Sequence, residues 1–258
     1  MEITAAEITG LLGEWFWPFL RVGGMVMVAP IFGGRQVPVQ ARVVLALGLS
    51  FVMVPAAGTA PAVEILSLQG ILIAVQEILI GVIMGFLVQM VFDAVVIAGQ
   101  LIAMSMGLGF AMMVDSQEGV NIPVVGQFLV IMTTLLYLAM DGHLILLSAM
   151  ASSFEYMPIG RSVVVRDDFW SVVEFGSRMY LGAAQIALPA VAALQTVLIA
   201  FGVMSRAAPT MNLFAVGFPA AMTLGFLIIM TVLPYMQPAI MDMLDAAFGA
   251  IDDILGSD

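Results

Sequence analysis

From Ala94 to Val114 the chain carries no charged side chain. A helix needs roughly 20 mainly apolar residues to cross the ~30 Å hydrocarbon layer of a bilayer, so such a run has few other environments open to it. It is not an isolated case. Of 258 residues, 62% are hydrophobic and only 10% charged, and the mean hydropathy of +1.14 lies far from that of an ordinary soluble domain. The sequence thus predicts an all-α integral membrane protein, with membrane lipid around it and hydrophobic helices and hairpins broken by Pro and Gly. The net charge is −11 and all seven cations are arginine. Nucleic acid is excluded as a partner, because phosphate binding needs clustered cations. Cysteine is absent, which removes disulfides, thiolate metal sites and cysteine nucleophiles together. Met1 to Gly13 carries Glu2 and Glu7 but no basic stretch, so it does not read as a cleavable secretory signal.

The apolar spans follow in order. Leu11 to Phe32 contains Glu14 and Arg21 and opens on Trp15, Phe16, Trp17 and Phe19, the composition of an interfacial aromatic belt. Val43 to Val54 is short for a crossing and is expected to turn at Pro55. Ile65 to Phe92 holds Glu77, and its Gly81 and Gly85 have the spacing that lets a second helix approach closely. In the run after Asp93, Gly99, Ala103, Gly107 and Ala111 recur every fourth residue, which places small side chains on one helical face and predicts an interface. Beyond Gly109 the glycines and polar residues predict a loop. Pro123 restarts a helix to Met140, and Asp141-Gly142-His143 interrupts it before Leu144 to Phe154.

Glu155 to Arg178 mixes both charge signs and reads as one polar connection. It divides the chain into an N-terminal part, residues 1–154, and a hydrophobic hairpin within 179–240. The hairpin arms are Met179 to Val203 and Leu213 to Met236, with Arg206 and Pro209 at the tip and prolines Pro189 and Pro219 inside the arms. Prolines within spans free backbone carbonyls, and neighbouring protein must then satisfy them. In the tail, 241–258, Leu244, Phe248, Ile251 and Leu255 share one face while Asp242, Asp245, Asp252 and Asp253 point away, an amphipathic acidic helix.

The ionisable groups within or beside the spans are Glu77, Asp93, Asp141 and His143. A charge at the bilayer centre costs about 2.5–3.5 kcal/mol, so each is either functional or held structurally at a turn or helix end. His143 is the sole histidine, which argues against a metal centre. No nucleophile elbow, phosphate-binding loop or dinucleotide fingerprint occurs, and no catalysis or cofactor is expected. Met104, Met106, Met112 and Met113 cluster near Phe110. Flexible thioethers fill gaps in packing, and beside Gly107, Gly109 and Gly119 they could equally form a deformable seal.

Three stretches carry a resemblance: Gly33-Gly34-Arg35-Gln36-Val37-Pro38-Val39-Gln40-Ala41-Arg42; Gly107 to Phe128, with Asp115, Gly119 and Pro123-Val124-Val125-Gly126-Gln127-Phe128; and Ser205-Arg206-Ala207-Ala208-Pro209-Thr210-Met211-Asn212-Leu213-Phe214-Ala215-Val216-Gly217-Phe218-Pro219. Together with Trp17 to Arg21 they resemble the FliR/SpaR/YscT family of type III secretion export-gate proteins, in its flagellar branch. Ser116 departs from the proline expected after the aspartate. The resemblance implies a FliP-like N-terminal part followed by a FliQ-like hairpin, and a non-enzymatic subunit of an inner-membrane export gate in the flagellar basal body. Its implied partners are FliP and FliQ, with FlhB and FlhA in contact and exported flagellar proteins passing transiently. It further implies a plug over about 107–122, drawing on Met106, Gly107, Gly109, Phe110, Met112, Met113, Asp115 and Gly119. Partner contacts are expected at Arg35, Gly99, Ala103, Arg206, Pro209, Asn212, Gly217 and Pro219. The alternative is a proton-coupled secondary transporter using Glu77, Asp93 or Asp141, although no convincing internal repeat is present. Arg35 with Arg42, and Arg206, suggest that these two connections face the cytoplasm.

Overall fold

The computed structural model describes residues 5–34, 36–59, 61, 63–108, 123–161, 165–207 and 213–256, without the side chains of 5–12, 213–216 and 218. The described elements are all helices: α1 Ala5–Val28, α2 Val39–Ala57, α3 Leu68–Ser105, α4 Val124–Ala139, α5 Gly142–Tyr156, α6 Arg166–Ala207 and α7 Leu213–Leu255. Among the described residues four helices, α2, α3, α6 and the Pro219–Leu255 part of α7, are long and apolar enough to cross a membrane. The pair α4 and α5, bent by 61°, counts as a fifth when taken as one broken span. Val44, Leu47 and Phe51 on α2 and Leu188, Ile199 and Val203 on α6 are exposed, as expected of surfaces that meet lipid or protein and not water.

Several boundaries differ from those the hydropathy pattern suggests, each for a local reason. α3 runs unbroken through Asp93, since one carboxylate on a helix leaves the backbone ladder intact. It ends in a Schellman cap: Gly107 is left-handed (φ +83°), its N–H donates to the Met104 carbonyl, and the Leu108 N–H donates to that of Ala103. α6 begins at Arg166, inside the mixed-charge stretch. The Asp168 carboxylate accepts the Val165 N–H at 2.7 Å, and Asp167 with Asp168 favours the positive end of the helix dipole. α7 continues through Pro234 and Pro238 into the acidic tail without a break. At the α4/α5 junction Asp141 is left-handed (φ 56°) and its carbonyl accepts the N–H groups of Leu144 and Ile145. Gly142 is required there, because a β-carbon would come 2.5 Å from the Tyr137 ring.

The chain forms two compact units. The first comprises Met1–Met90, Tyr137–Gly176 and Asp245–Asp258, and the second Val91–Leu136 and Ser177–Leu244. In the first, α1 packs on α2 and α2 on α5, with Trp15 and Phe51 rings 4.4 Å apart. The backbones of α1 and α3 touch through glycine. A β-carbon on Gly24 would lie 2.7 Å from the Ile78 carbonyl oxygen, one on Gly81 would collide with the Arg21 carbonyl, and one on Gly85 would lie 2.8 Å from that of Met25. The Gly81/Gly85 spacing thus serves α1. The tail end of α7 docks its apolar face in the same unit, where Ile251 and Leu255 are buried near Ile80, Ile83, Met84 and Met157.

In the second unit the remainder of α3 meets α4 at Gly99 and Gly126, whose backbones approach closely enough that any side chain would collide. The helices α6 and α7 meet where Met243, in the first residues of the tail, lies over Gly182.

Candidate functional site

The glycine contact between α1 and α3 fixes what can face what. On α1, Trp17, Arg21 and Met25 lie one turn apart and are all fully buried. On α3, Glu77 shares the face of Gly81 and Gly85. Arg21 Nε donates to Glu77 Oε2 at 2.7 Å, and the pair is 0% and 2% exposed. The other end of the guanidinium reaches the C-terminus of α5. Nη1 donates to the Ser153 carbonyl at 2.8 Å and to Ser153 Oγ at 3.1 Å, and Nη2 donates to the Met157 carbonyl at 2.8 Å. Ser153 Oγ in turn donates to the Met150 carbonyl. The guanidinium carbon stands 4.4 Å from the Phe154 ring centre, a cation–π contact. Glu77 also accepts the backbone N–H of Gly160.

The arrangement answers the two costs of burying charge. Each ion has an opposite partner, and each of the three guanidinium nitrogens makes at least one hydrogen bond. Arg21 also supplies a cation to the negative end of the α5 dipole, where the Ser153 carbonyl accepts the guanidinium in addition to the Met157 N–H. Through Met157 and Gly160 the pair grips both sides of the turn after α5. It is therefore a structural clamp joining α1, α3 and the α5 exit. Among the described residues no group of three or more His, Asp or Glu side chains is placed to hold a metal.

The remaining candidates separate cleanly. Asp93 is half-buried within α3, Asp141 forms the α4/α5 bend, and His143 sits in the first turn of α5 with Nδ1 buried and without a hydrogen-bond partner among the described residues. Met106 is fully buried and lies over Gly225 of α7, where a β-carbon would come 2.7 Å from its Cγ and Cε. Gly107 is the cap residue of α3. Gly99 and Ala103, expected at a contact with another subunit, are buried within this chain, Gly99 against Gly126. Arg206 is exposed in the last turn of α6, Gly217 is half-buried and Pro219 exposed. Arg35, Gly109, Phe110, Met112, Met113, Asp115, Gly119, Pro209 and Asn212 lie outside the described residues.

Sequence reasoning singled out Glu77 but passed over Arg21, Ser153 and the Met157 carbonyl. A usable signal existed for one of them. Arg21 is an arginine inside an apolar run, four residues from Trp17, and a buried carboxylate elsewhere demands a counter-charge. The two backbone and hydroxyl acceptors have no such signature.

Residues 12–247 match the family described as bacterial export proteins, family 1. The chain belongs to this family. It is 33% identical to the flagellar biosynthetic protein FliR of Escherichia coli strain K12 over 99% of this chain and 97% of that protein. It is 33% identical to the FliR of Pectobacterium carotovorum, covering 96% and 95% of the two chains. It is 30% identical to the FliR of Bacillus subtilis strain 168, covering 86% and 87%. The matched span of the family includes Arg21, Glu77, Ser153 and Gly160 on one hand and Met106, Gly107 and Gly225 on the other.

Proposed function

We propose that the chain is a non-enzymatic subunit of the flagellar protein-export gate in the bacterial inner membrane, assembled with FliP and FliQ and contacted by FlhB and FlhA. The observation that carries this reading is the near-complete mutual coverage with flagellar biosynthetic proteins. The whole chain, not one module of it, is shared. The exposed apolar faces of α2 and α6 support it, since a subunit needs surfaces for lipid and for neighbours.

In this reading the segment 107–122 is the plug, with Met106 and Gly107 as its root and Phe110, Met112 and Met113 as deformable closing groups. The tip carrying Arg206, Pro209 and Asn212, with Gly217 and Pro219 behind it, faces FlhB. Glu77 is committed to Arg21, which weakens the case for a proton-coupled carrier built on that carboxylate.

The test is coexpression with matching FliP and FliQ, purification through a tag on this chain, and native mass measurement. One large complex containing all three is expected. A solitary species that binds neither partner would overturn the assignment. Deleting 107–119 from the assembled complex should make it leak ions, and a tight complex after deletion would remove the plug.

A further inference from the structure

Met106, directly after the last residue of α3, is under two different kinds of restraint. Its backbone is fixed by hydrogen bonds: the Met106 N–H donates to the Ile102 carbonyl at 2.9 Å, and the left-handed Gly107 completes the cap. Its side chain is fully buried and lies lengthwise over Gly225 of α7. A β-carbon at Gly225 would come 2.7 Å from Cγ and Cε and 3.0 Å from Sδ, so three atoms of the thioether, not its tip alone, use the space that glycine leaves. Gly225 stands in the middle of a buried strip of α7, Ala221, Gly225 and Ile229, one turn apart from each other. The strip is small at two positions and bulky at the third, which leaves a notch at Gly225.

The side-chain contact is separable where the backbone restraint is not. It rests on dispersion, which weakens within a fraction of an ångström and has no preferred direction, and an unbranched thioether can leave by rotating about its own bonds. The Gly99–Gly126 contact cannot be undone that way, because backbone faces backbone. Both partners also have room to part. Glycine at 107 takes several backbone conformations at little cost. α7 contains Pro219 six residues before Gly225 and Pro234 nine after it, and each removes a helix hydrogen bond and lets the helix bend. Met243 over Gly182 differs in that both residues lie within helices, with no chain end beside them.

We infer that Met106 seated on Gly225 is a releasable latch that ties the end of α3 to the position of α7. The inference rests on the reading proposed above, in which the segment beginning at Gly107 is the plug. Seated, the thioether holds the root of that segment and keeps the channel at rest. Withdrawn, it frees the end of α3. Close-packed contacts are seated or not, with little between, so a small shift of α7 is enough to change the state. Gly225 lies about 18 Å along α7 from Leu213, at a rise of 1.5 Å per residue. α7 is thus the rod that carries a displacement from the hairpin tip to the latch.

The test is potassium flux through the full chain, purified with FliP and FliQ and reconstituted in vesicles. Met106→Ala empties the notch and should raise the flux about tenfold, the population shift that follows from losing the buried atoms beyond Cβ. Gly225→Ala crowds the thioether out of its seat and should raise the flux about threefold while the unfolding midpoint of the complex stays as in wild type. The same step at Gly182, under Met243, should leave the flux unchanged. Because the chain contains no cysteine, Met106→Cys with Gly225→Cys gives one disulfide within it, and the two positions are close enough for the roughly 3.5–4.5 Å between bridged β-carbons. Oxidised, this complex should be as tight as wild type and export of flagellar proteins should fall to background, with recovery on reduction. Wild-type flux from both Met106→Ala and Gly225→Ala, a leak from Gly182→Ala equal to that from Gly225→Ala, or undiminished export with the disulfide formed would overturn the latch. The complex lacking 107–119 then shows which reading failed: if it leaks, the plug stands and only the latch is removed, and if it is tight, both are.

Discussion

The two units fasten their helices by different means. In the first, glycine brings α1 and α3 into backbone contact and a buried ion pair then locks them to the exit of α5. In the second, contact is made by glycine against glycine, at Gly99 and Gly126, and by methionine laid over glycine, at Gly182 and Gly225. The distinction is one of directionality. A guanidinium with four geometrically fixed hydrogen bonds specifies a single register. Dispersion contacts to a flexible thioether hold elements together while tolerating displacement. The first unit is built to keep its geometry and the second to adjust, a division that suits a gate subunit with its proposed plug rooted at Met106.

The largest effect should come from removing half of the clamp. Arg21→Ala or Glu77→Ala leaves an uncompensated buried charge and should cost about 3–5 kcal/mol. The readout is a lowered unfolding midpoint in detergent, followed by circular dichroism. Replacing both, Arg21→Met with Glu77→Met, removes the charges together and should recover most of the loss, because a well-packed apolar pair of similar volume is often neutral. A double variant as unstable as either single one would show that the carbonyls of Ser153 and Met157 depend on the guanidinium more than Glu77 does. That result would recast the site as a helix cap first and an ion pair second.

Next in size is a blow to the contact on which the second unit rests. At Gly99 the obstructing atoms are the backbone of Gly126, which no rotamer change can move aside. Gly99→Val should therefore fall at the upper end of the 1–3 kcal/mol range for overpacking, at about 3 kcal/mol. The same measurement checks it. A loss below about 1 kcal/mol would mean that α4 can slide on α3, and that even the glycine contact is adjustable.

What was legible in the sequence follows the same divide. The small-residue spacings at Gly81/Gly85 and Gly99/Ala103 announced close helix contacts, because close approach has a local signature in residue size and period. They did not say which helix would come: α1 in one case and α4 of the same chain in the other, where a separate subunit was expected. The partnership of Arg21 with Glu77 spans 56 positions and leaves no periodic trace. Helix boundaries were misplaced at α6 and α7 for another reason. Hydropathy marks where apolar composition ends, whereas a helix ends where its hydrogen bonds do. The Asp168 cap and the tolerance of Pro234 and Pro238 carried these helices beyond the apolar runs. Segment 109–122 and the tip at 208–212 lie outside the described residues, so their assignments rest on resemblance.

A smaller change of opposite sign separates packing from polarity. Thr133 is fully buried in α4 of the second unit, and its hydroxyl has no hydrogen-bond partner among the described residues. Thr133→Val removes that unsatisfied group at nearly constant volume and should stabilise the chain by about 1 kcal/mol. A loss instead would point to an ordered water on the hydroxyl, giving the second unit a polar fastening after all.

The smallest expected change is the sharpest comparison. Gly225→Ala introduces a β-carbon 2.7 Å from Met106 Cγ and Cε, a contact as tight on paper as many that unfold helices. The obstructing atoms belong to an unbranched side chain with several rotatable bonds, and alanine gains roughly 0.5–1 kcal/mol over glycine within a helix. The two effects should nearly cancel, leaving stability within about 0.5 kcal/mol of wild type. Gly99→Ala, the same chemical step against backbone, should lose about 1–3 kcal/mol. If Gly225→Ala loses as much as Gly99→Ala, Met106 is held rigidly. The end of α3 is then fixed as firmly as the clamp fixes the exit of α5, and the contrast between an anchored unit and an adjustable one disappears.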